Sequence, residues 1–151
     1  MPYIFQNETS EIVHVKKSKI PGAGQGLFAK QDIAKGEFVA WYTGVFVPKE
    51  MVENDYYSSD YLLTLRGQDL VIDAADPLSC LGRYINDPLS KRGGPNCKFM
   101  QYQNVQSGGV HATKDIKKGG ELYISYGHEF WLLEARFNKL SAANKAFVQR
   151  G

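Results

Sequence analysis

The chain is built from short runs of β-forming residues, and glycine, asparagine or aspartate separates one run from the next. Runs rich in Val, Ile, Phe and Tyr suit a pleated, half-buried surface, and the residues between them favour turns. They predict strands at 12–16, 26–29, 38–47, 61–66, 70–72, 98–103, 109–112 and 122–124. Pro48 opens a short predicted helix over Lys49–Asp55.

The C-terminal part of the chain follows a different period. Phe130, Leu133, Phe137 and Leu140 recur at steps of three and four, which is one apolar face of a helix. This predicts a helical segment over 129–149. The length of 151 residues fits one domain over 1–151. The expected fold class is mostly β with short helices.

Bulk properties exclude several kinds of site. A net charge of +2 falls short of the basic stripe of a dedicated nucleic-acid binder, so no direct nucleic-acid site is evident. Cys80, Cys97 and the scattered histidines lack the spacing of a zinc site, so no metal is expected. Neither a signal peptide nor a run of about eighteen apolar residues is present, so no membrane association is expected. Nucleus and cytoplasm both remain open.

Two segments near the N-terminus have residues suited to a ligand site. Gly22, Gly24 and Gly26 permit positive φ and a close backbone approach, but the segment leads into a strand, which argues against phosphate binding. Taken alone, the segment fits a plain hairpin turn better than a ligand site. Trp41 and Tyr42 stand before Gly44 at a strand end, where aromatic rings can wall a channel or pack in the core.

Two further segments follow. Arg83, Asn86 and Asn96 stand among apolar residues, where polar side chains are costly to bury unless they are paired. They indicate either a satisfied structural network or a polar ligand site. In the last segment Tyr126 precedes Gly127 at a strand end, and Trp131 follows as a stacking face for a ring.

In this order and spacing, the four segments resemble the SET domain of protein lysine methyltransferases. The family pattern runs from a Gly-x-Gly turn, through Tyr-x-Gly and an Asn-rich segment, to Glu-Leu-x-x-x-Tyr-Gly, and the match covers about 11–131. The resemblance implies a SET β-fold with a pseudoknot, in which the chain near 86–96 is threaded by the segment near Tyr126. It also implies that the C-terminal helix closes the site without the zinc cluster of many relatives.

The resemblance also implies a cofactor and a set of site residues. The cofactor would be S-adenosylmethionine, released as S-adenosylhomocysteine, with no metal. The cofactor-binding residues would be Ala23, Gly24, Gln25, Tyr61, Arg83, Asn86, Asp87 and Trp131. The channel for the substrate lysine would be lined by Tyr42, Phe99, Tyr123, Ile124 and Tyr126. Tyr42 and Tyr126 would be the catalytic residues, with Tyr126 acting by orientation and electrostatics.

Two departures from the family pattern stand out. The His-Ser-Cys that follows the Asn in the family is replaced by Asp87-Pro88-Leu89, and a Gly-rich basic insert follows at 90–94. The insert is typical of a flexible surface loop, or of a loop that contacts an acidic partner. Phe99 stands where some relatives place a tyrosine. Its missing hydroxyl predicts methylation beyond the monomethyl state.

The leading hypothesis is an S-adenosylmethionine-dependent protein-lysine N-methyltransferase. Its substrate would be a histone tail bound as an extended strand, which favours a nuclear location over a cytoplasmic one. A peptide-binding module of the same fold with weak or no catalysis is the second reading. A methyltransferase for a non-histone protein is the third. The sequence indicates neither which lysine is modified nor the oligomeric state.

Overall fold

The fold consists of short strands with little helix. A computed structural model describes residues 10–59, 61–64, 70–77, 79–89, 91–102, 108–125 and 131–133. The strands are β1 Val13–Lys17, β2 Gln25–Ala29, β3 Phe38–Tyr42, β4 Val45–Pro48, β5 Leu62–Thr64, β6 Leu70–Asp73, β7 Cys97–Tyr102, β8 Gly108–Ala112 and β9 Trp131–Leu133. The helix α1 spans Lys49–Glu53, and Gly82–Tyr84 form one 3-10 turn. The predicted fold class is confirmed.

The strands form three small sheets. β1 and β2 make an antiparallel hairpin, and β4, β6 and β5 make an antiparallel sheet with β6 in the middle. The third sheet has the order β3-β8-β7-β9, in which only the β7–β9 pair is parallel. Apolar side chains from all three sheets meet in one core. In the described part of the chain, no helix is long and apolar enough to cross a membrane.

The predicted strand 38–47 is in fact two strands. It breaks at Thr43-Gly44, because β3 pairs with β8 while β4 pairs with β6 in another sheet. A Cβ on Gly44 would lie 2.1 Å from the carbonyl oxygen of Asp73, so only glycine fits at the crossing. Hydrophobic pattern alone cannot reveal such a change of sheet, because both halves are equally apolar.

The segment after Gly120 is extended but belongs to no regular ladder. Instead of one strand at 122–124, it makes isolated bridges to three remote parts of the chain. On one edge, the Leu122 N–H donates to the Leu27 carbonyl at 2.8 Å, and the Ile124 N–H donates to the Asn86 carbonyl at 3.0 Å. This edge therefore joins the segment to β2 and to the residues after the 3-10 turn.

The opposite edge of the segment is held by the residues that open β7. The Tyr123 carbonyl accepts from the backbone N–H groups of Asn96 and Cys97, each at 3.0 Å. Residues 121–124 therefore lie between Asn86 and Cys97, paired with both ends of the loop that joins them. This is the expected pseudoknot, as far as residue 125; Tyr126 lies outside the described residues.

The predicted helix over 129–149 is wrong at Trp131–Leu133, which form β9. These residues pair in parallel with Met100–Tyr102 along the edge of β7. In a helix the backbone N–H and C=O groups of these residues would bond to each other. Here they pair with the edge of β7, which satisfies them equally well. The remaining residues of the predicted helix lie outside the described part of the chain.

We expect Gly44→Ala to destabilise the fold much more than Gly22→Ala. At Gly44 the new Cβ meets fixed backbone, and overpacking of this kind costs about 3 kcal/mol. At Gly22 the space is open, and the positive φ of 79° costs about 1 kcal/mol. Urea unfolding of both variants would measure the difference. Equal losses would contradict the close backbone crossing between β4 and β6.

Candidate active site

An aromatic pair lies at the centre of the largest sheet. The rings of Tyr42 and Phe99 are buried, with centroids 5.3 Å apart and planes at 83°. Tyr42 is on β3 and Phe99 on β7, and β8 lies between the two strands. Gly108 is opposite Tyr42 and carries no side chain, so the Tyr42 ring can reach across β8. An edge-to-face contact is a favoured arrangement of two aromatic rings.

The aromatic pair is tied to the neighbouring sheet. The Tyr42 hydroxyl donates to the carbonyl of Tyr61 at 3.0 Å. Ile124 belongs to the same apolar cluster as Tyr42 and Phe99. Two of the predicted channel residues are therefore in contact, and a third, Ile124, lies in the same core. Tyr126 lies outside the described residues, and its assignment to the channel stays a prediction.

Arg83 holds Tyr61 in place through its side chain. Its guanidinium carbon lies 4.3 Å from the ring centroid of Tyr61 and 4.8 Å from that of Tyr84. Its Nε donates to the carbonyl of Ala74 at 2.7 Å. A cation near two aromatic faces is favourable when it keeps its hydrogen bonds. The resemblance predicted Arg83 as a cofactor-binding residue, and the structure gives its side chain a structural role.

The glycine turn, defined as residues 18–24, is closed at its base and open at its tip. The Ser18 N–H donates to the Gly24 carbonyl at 2.8 Å. Gly22 and Gly24 have φ of 79° and 76°, conformations that favour glycine. A Cβ on either glycine would meet nothing within 4 Å. The tip therefore presents peptide groups to open space, next to Ala23 and Gln25.

Asn86 connects the glycine turn to the threaded segment. Its Nδ2 donates to the carbonyl of Gln25 at 2.9 Å, and its own carbonyl accepts from Ile124. The predicted cofactor residues of the turn and Asn86 are therefore adjacent. Asp87 accepts the Leu89 N–H on its Oδ1 at 2.7 Å, which makes a local turn of the kind aspartate favours.

Asn96 has a structural role. Its Nδ2 donates to the Glu121 carbonyl at 3.0 Å, and its Oδ1 accepts the Tyr123 N–H at 2.7 Å. Both ends of the amide are thus used to hold the threaded segment. Of the two readings open for the asparagines, a satisfied network describes Asn96. Asn86, which is half-buried beside the turn, also remains suited to contact a ligand.

Glu121, the Glu of the Glu-Leu-x-x-x-Tyr-Gly pattern, is a buried carboxylate for which the sequence predicted no role. Only 4% of its surface is exposed, and it accepts the Ser18 hydroxyl at 2.6 Å and the Lys19 N–H at 2.8 Å. A Cβ on Gly26 would lie 2.5 Å from its Oε2, so that glycine makes room for it. The available signal was a charged residue in an apolar run, which requires buried donors.

Tyr123 faces Glu121 with its hydroxyl, which donates to the carboxylate at 3.2 Å. Burial raises the pKa of this phenol above its usual 10.0, and the Glu121 charge and hydrogen bond raise it further, while Arg92 acts in the opposite direction. The Tyr123 hydroxyl is therefore already engaged by Glu121, and any role of Tyr123 in the predicted lysine channel has to be compatible with this hydrogen bond.

Asp73 is a second buried carboxylate that the sequence reading missed. It accepts the hydroxyls of Tyr57 and Ser59 and the N–H of Ala75. The hydrogen bond to Asp73 raises the pKa of Tyr57, and burial and the Asp73 charge add to the shift. Ser59 also accepts the N–H of Tyr61 at 3.1 Å. Asp73 thereby fixes the loop before Tyr61, whose carbonyl accepts the hydrogen bond from Tyr42.

The side chain of Trp131 lies outside the described part, although its backbone pairs with Met100, next to Phe99. Within the described ranges, no group of three or more His, Cys, Asp or Glu side chains is arranged to hold a metal ion. Cys80 and Cys97 are buried and unbridged, and burial raises the pKa of Cys97.

Comparison with known proteins assigns the fold to a family. A model of the SET domain matches residues 24–127, inside the predicted 11–131. The chain belongs to the SET domain family. Histone-lysine N-methyltransferase SETD7 of Halocynthia roretzi is 30% identical over 134 residues, which cover 85% of this chain and 35% of the relative. Histone-lysine N-methyltransferase EZH2 of Chaetomium thermophilum is 33% identical over 137 residues, which cover 83% of this chain and 9% of the relative.

N-lysine methyltransferase KMT5A-A of Xenopus laevis is also similar, with 30% identity over 129 residues that cover 80% of this chain and 38% of the relative. The chain thus spans little more than a third of these curated relatives at most. Among solved structures, Chaetomium thermophilum PRC2 bound to S-adenosylmethionine has a TM-score of 0.62 at 30% identity, covering 94% of this chain and 17% of that one. The same complex with H3K27me3 and H3K27M has a TM-score of 0.63 at 30% identity, and the match covers 84% of this chain and 17% of that one.

We expect the stability difference between wild type and Tyr123→Phe to change at alkaline pH. The folded-state pKa of Tyr123 is raised, so its stabilising effect is complete below the unfolded value of 10.0 and is lost as pH rises through the folded pKa. Urea unfolding between about pH 8 and 11 should show wild type losing up to about 1.4 kcal/mol per pH unit relative to the variant.

Cys97 is present in both proteins, so its own alkaline titration cancels in this comparison. A difference that stays constant across the pH range would show that the Tyr123 phenol does not titrate differently in the two states.

Proposed function

We propose that this chain transfers methyl groups from S-adenosylmethionine to the ε-amine of a lysine in a protein substrate. The observation that carries the proposal is the position of Asn86. Its side chain holds the Gln25 carbonyl beside the open glycine turn, while its backbone holds Ile124, which belongs to the same buried core as the Tyr42–Phe99 pair. A cofactor at the turn would thus lie next to a buried aromatic wall.

The glycine turn suits the cofactor. Open space at Gly22 and Gly24 allows a ligand to approach the backbone, and Ala23, Gln25 and Asn86 are accessible enough to contact it. Tyr61, Arg83, Asp87 and Trp131 would complete the site. S-adenosylmethionine, when bound, supplies a methyl group activated by a positively charged sulfur. A related PRC2 structure bound to S-adenosylmethionine supports this choice of cofactor.

The aromatic wall would prepare the substrate lysine. An amine must be neutral to act as a nucleophile, and the usual lysine pKa is about 10.4. The Tyr42 and Phe99 rings would exclude water, which disfavours the ammonium form and lowers that pKa. The Tyr42 hydroxyl donates to the Tyr61 carbonyl, and a phenolic oxygen also accepts hydrogen bonds. Tyr42 can therefore orient the amine.

The transfer is a single displacement. The lysine nitrogen would use its lone pair to form a bond to the methyl carbon, while the carbon–sulfur bond would break and leave its electron pair on sulfur. The methylated amine would then return its extra proton to water, with S-adenosylhomocysteine as the other product. Tyr126 would align the amine and face the polarised methyl with its oxygen, as one of a set of fixed dipoles.

The proposed substrate is a histone tail bound as an extended strand. The support is that two relatives are histone-lysine N-methyltransferases and that a related structure is in complex with H3K27me3 and H3K27M. An extended peptide gains affinity from main-chain hydrogen bonds to a strand edge. A substrate in chromatin would place the protein in the nucleus.

We expect Tyr126→Phe to lower kcat by about 100-fold, the loss typical of one oriented polar group at a reacting centre. We expect Asn86→Ala to raise the Kd for S-adenosylmethionine by about tenfold, because it releases the Gln25 carbonyl. Peptide-array methylation would measure the first effect, and calorimetry the second. Tyr56→Phe makes the same chemical change at an exposed tyrosine and serves as the control.

Full activity in Tyr126→Phe would refute the role given to this hydroxyl. No binding to the wild-type chain at millimolar cofactor would favour a peptide-binding module of the same fold. Methylation confined to array peptides from non-histone proteins would overturn the histone assignment and leave the chemistry intact.

We expect this enzyme to go beyond monomethylation, and Phe99→Tyr to favour the monomethyl product. The added hydroxyl would lie beside Tyr42 and restrain the amine through a hydrogen bond. Such a bond lowers the rate of the second methylation relative to the first by about tenfold. Mass spectrometry of a long time course measures the product states. Phe46→Tyr, on β4, controls for the added hydroxyl, and a wild-type enzyme that yields only monomethyllysine would contradict the expectation.

A further inference from the structure

The basic insert at 90–94 is held in a specific conformation. Arg92, Gly93 and Gly94 have consecutive positive φ angles of 57°, 82° and 79°. For arginine this conformation is strained, and such strain persists where the surroundings enforce it. The sequence predicted a flexible surface loop here, but the described part, from Lys91 onward, is anchored to the rest of the fold.

The anchors of the insert are hydrogen bonds at both ends. The Gly94 N–H donates to the Lys91 carbonyl at 2.9 Å, and the Lys91 N–H donates to the Pro88 carbonyl at 3.1 Å. Lys114 reaches across with its Nζ to the Gly93 carbonyl at 3.1 Å. These contacts turn the Arg92 side chain away from its own loop, and its Nη2 donates to the carbonyl of Lys19 at 2.8 Å.

Lys19 lies in the base of the glycine turn and is held from two directions. Its N–H donates to Glu121, 102 residues away in sequence, and its carbonyl accepts from Arg92, 73 residues away. Ser18, the preceding residue, also donates to Glu121. At the tip, a Cβ added to Gly22 or Gly24 would meet nothing within 4 Å. The orientation of the turn is therefore set from its base.

We propose that Arg92 is a positioning residue for the cofactor: by fixing the Lys19 carbonyl it sets, together with Glu121, the orientation of the Ala23–Gln25 peptide groups. The inference rests on the proposed function. Lys91 supplies an internal comparison, because it is an exposed cation in the same insert, and within the described part of the chain only its backbone N–H and carbonyl are seen to make hydrogen bonds.

Calorimetry with S-adenosylmethionine tests the proposal on the full chain. Arg92→Gly removes the guanidinium and accepts the positive φ, so the variant should fold. Loss of the hydrogen bond should raise its Kd about fivefold. Arg92→Lys keeps a hydrogen-bond donor, so its Kd should lie between those of wild type and Arg92→Gly. Lys91→Ala removes the same charge from the neighbouring position and should stay within about twofold of wild type.

Steady-state kinetics separate positioning from a general loss of stability. In Arg92→Gly the KM for the cofactor should rise about fivefold, while kcat at saturating cofactor and the KM for the peptide stay within about twofold. A wild-type Kd in Arg92→Gly would overturn the proposal. So would equal weakening by Lys91→Ala, which would indicate a charge effect alone. A wild-type chain that does not bind cofactor would refute the proposed function, and this inference with it.

Discussion

The fold depends on a buried extended segment that needs hydrogen bonds on both edges. Residues 121–124 are almost wholly excluded from solvent, and buried peptide groups that lack partners are costly. Leu27 and Asn86 satisfy one edge, and Asn96 and Cys97 satisfy the other. Because these partners come from distant parts of the sequence, satisfying one short segment forces the glycine turn, the 3-10 turn and the start of β7 to meet. The candidate active site lies where they meet.

Two buried carboxylates fix the parts of the site that no ladder holds. Glu121 accepts from the base of the glycine turn, and Asp73 accepts from the loop that leads to Tyr61. Leaving a buried donor or acceptor without a partner costs about 1–3 kcal/mol, so each carboxylate strongly favours one loop conformation. The two loops would serve different halves of the proposed reaction, since one would face the cofactor and the other supports Tyr42. The conformations of both loops are therefore fixed by hydrogen bonds formed on folding, and do not depend on ligand binding alone.

Local pattern predicted most strands, because apolar runs and turn residues act over a few positions. The resemblance to the SET family also predicted site roles for Tyr42, Phe99 and Asn86, and these roles stay predictions. What the sequence could not reveal depends on contacts between remote residues. The break at Gly44 follows from the carbonyl of Asp73, and β9 follows from the free edge of β7. Glu121 and Asp73 were missed because their donors, such as Ser18 and Tyr57, are recognisable only once the chain is folded.

The departure at Asp87-Pro88-Leu89 leaves the pseudoknot intact for a physical reason. The threaded segment is held by the backbone of Asn86 and Cys97 and by the Asn96 amide, so the side chains between them are not needed for pairing. Asp87 instead stabilises a turn through Leu89, and the insert that follows can reach Lys19. Because backbone pairing tolerates changes of side chain, the loop can vary while the threading persists. Such a loop can acquire new contacts with the glycine turn without disturbing the core beneath it.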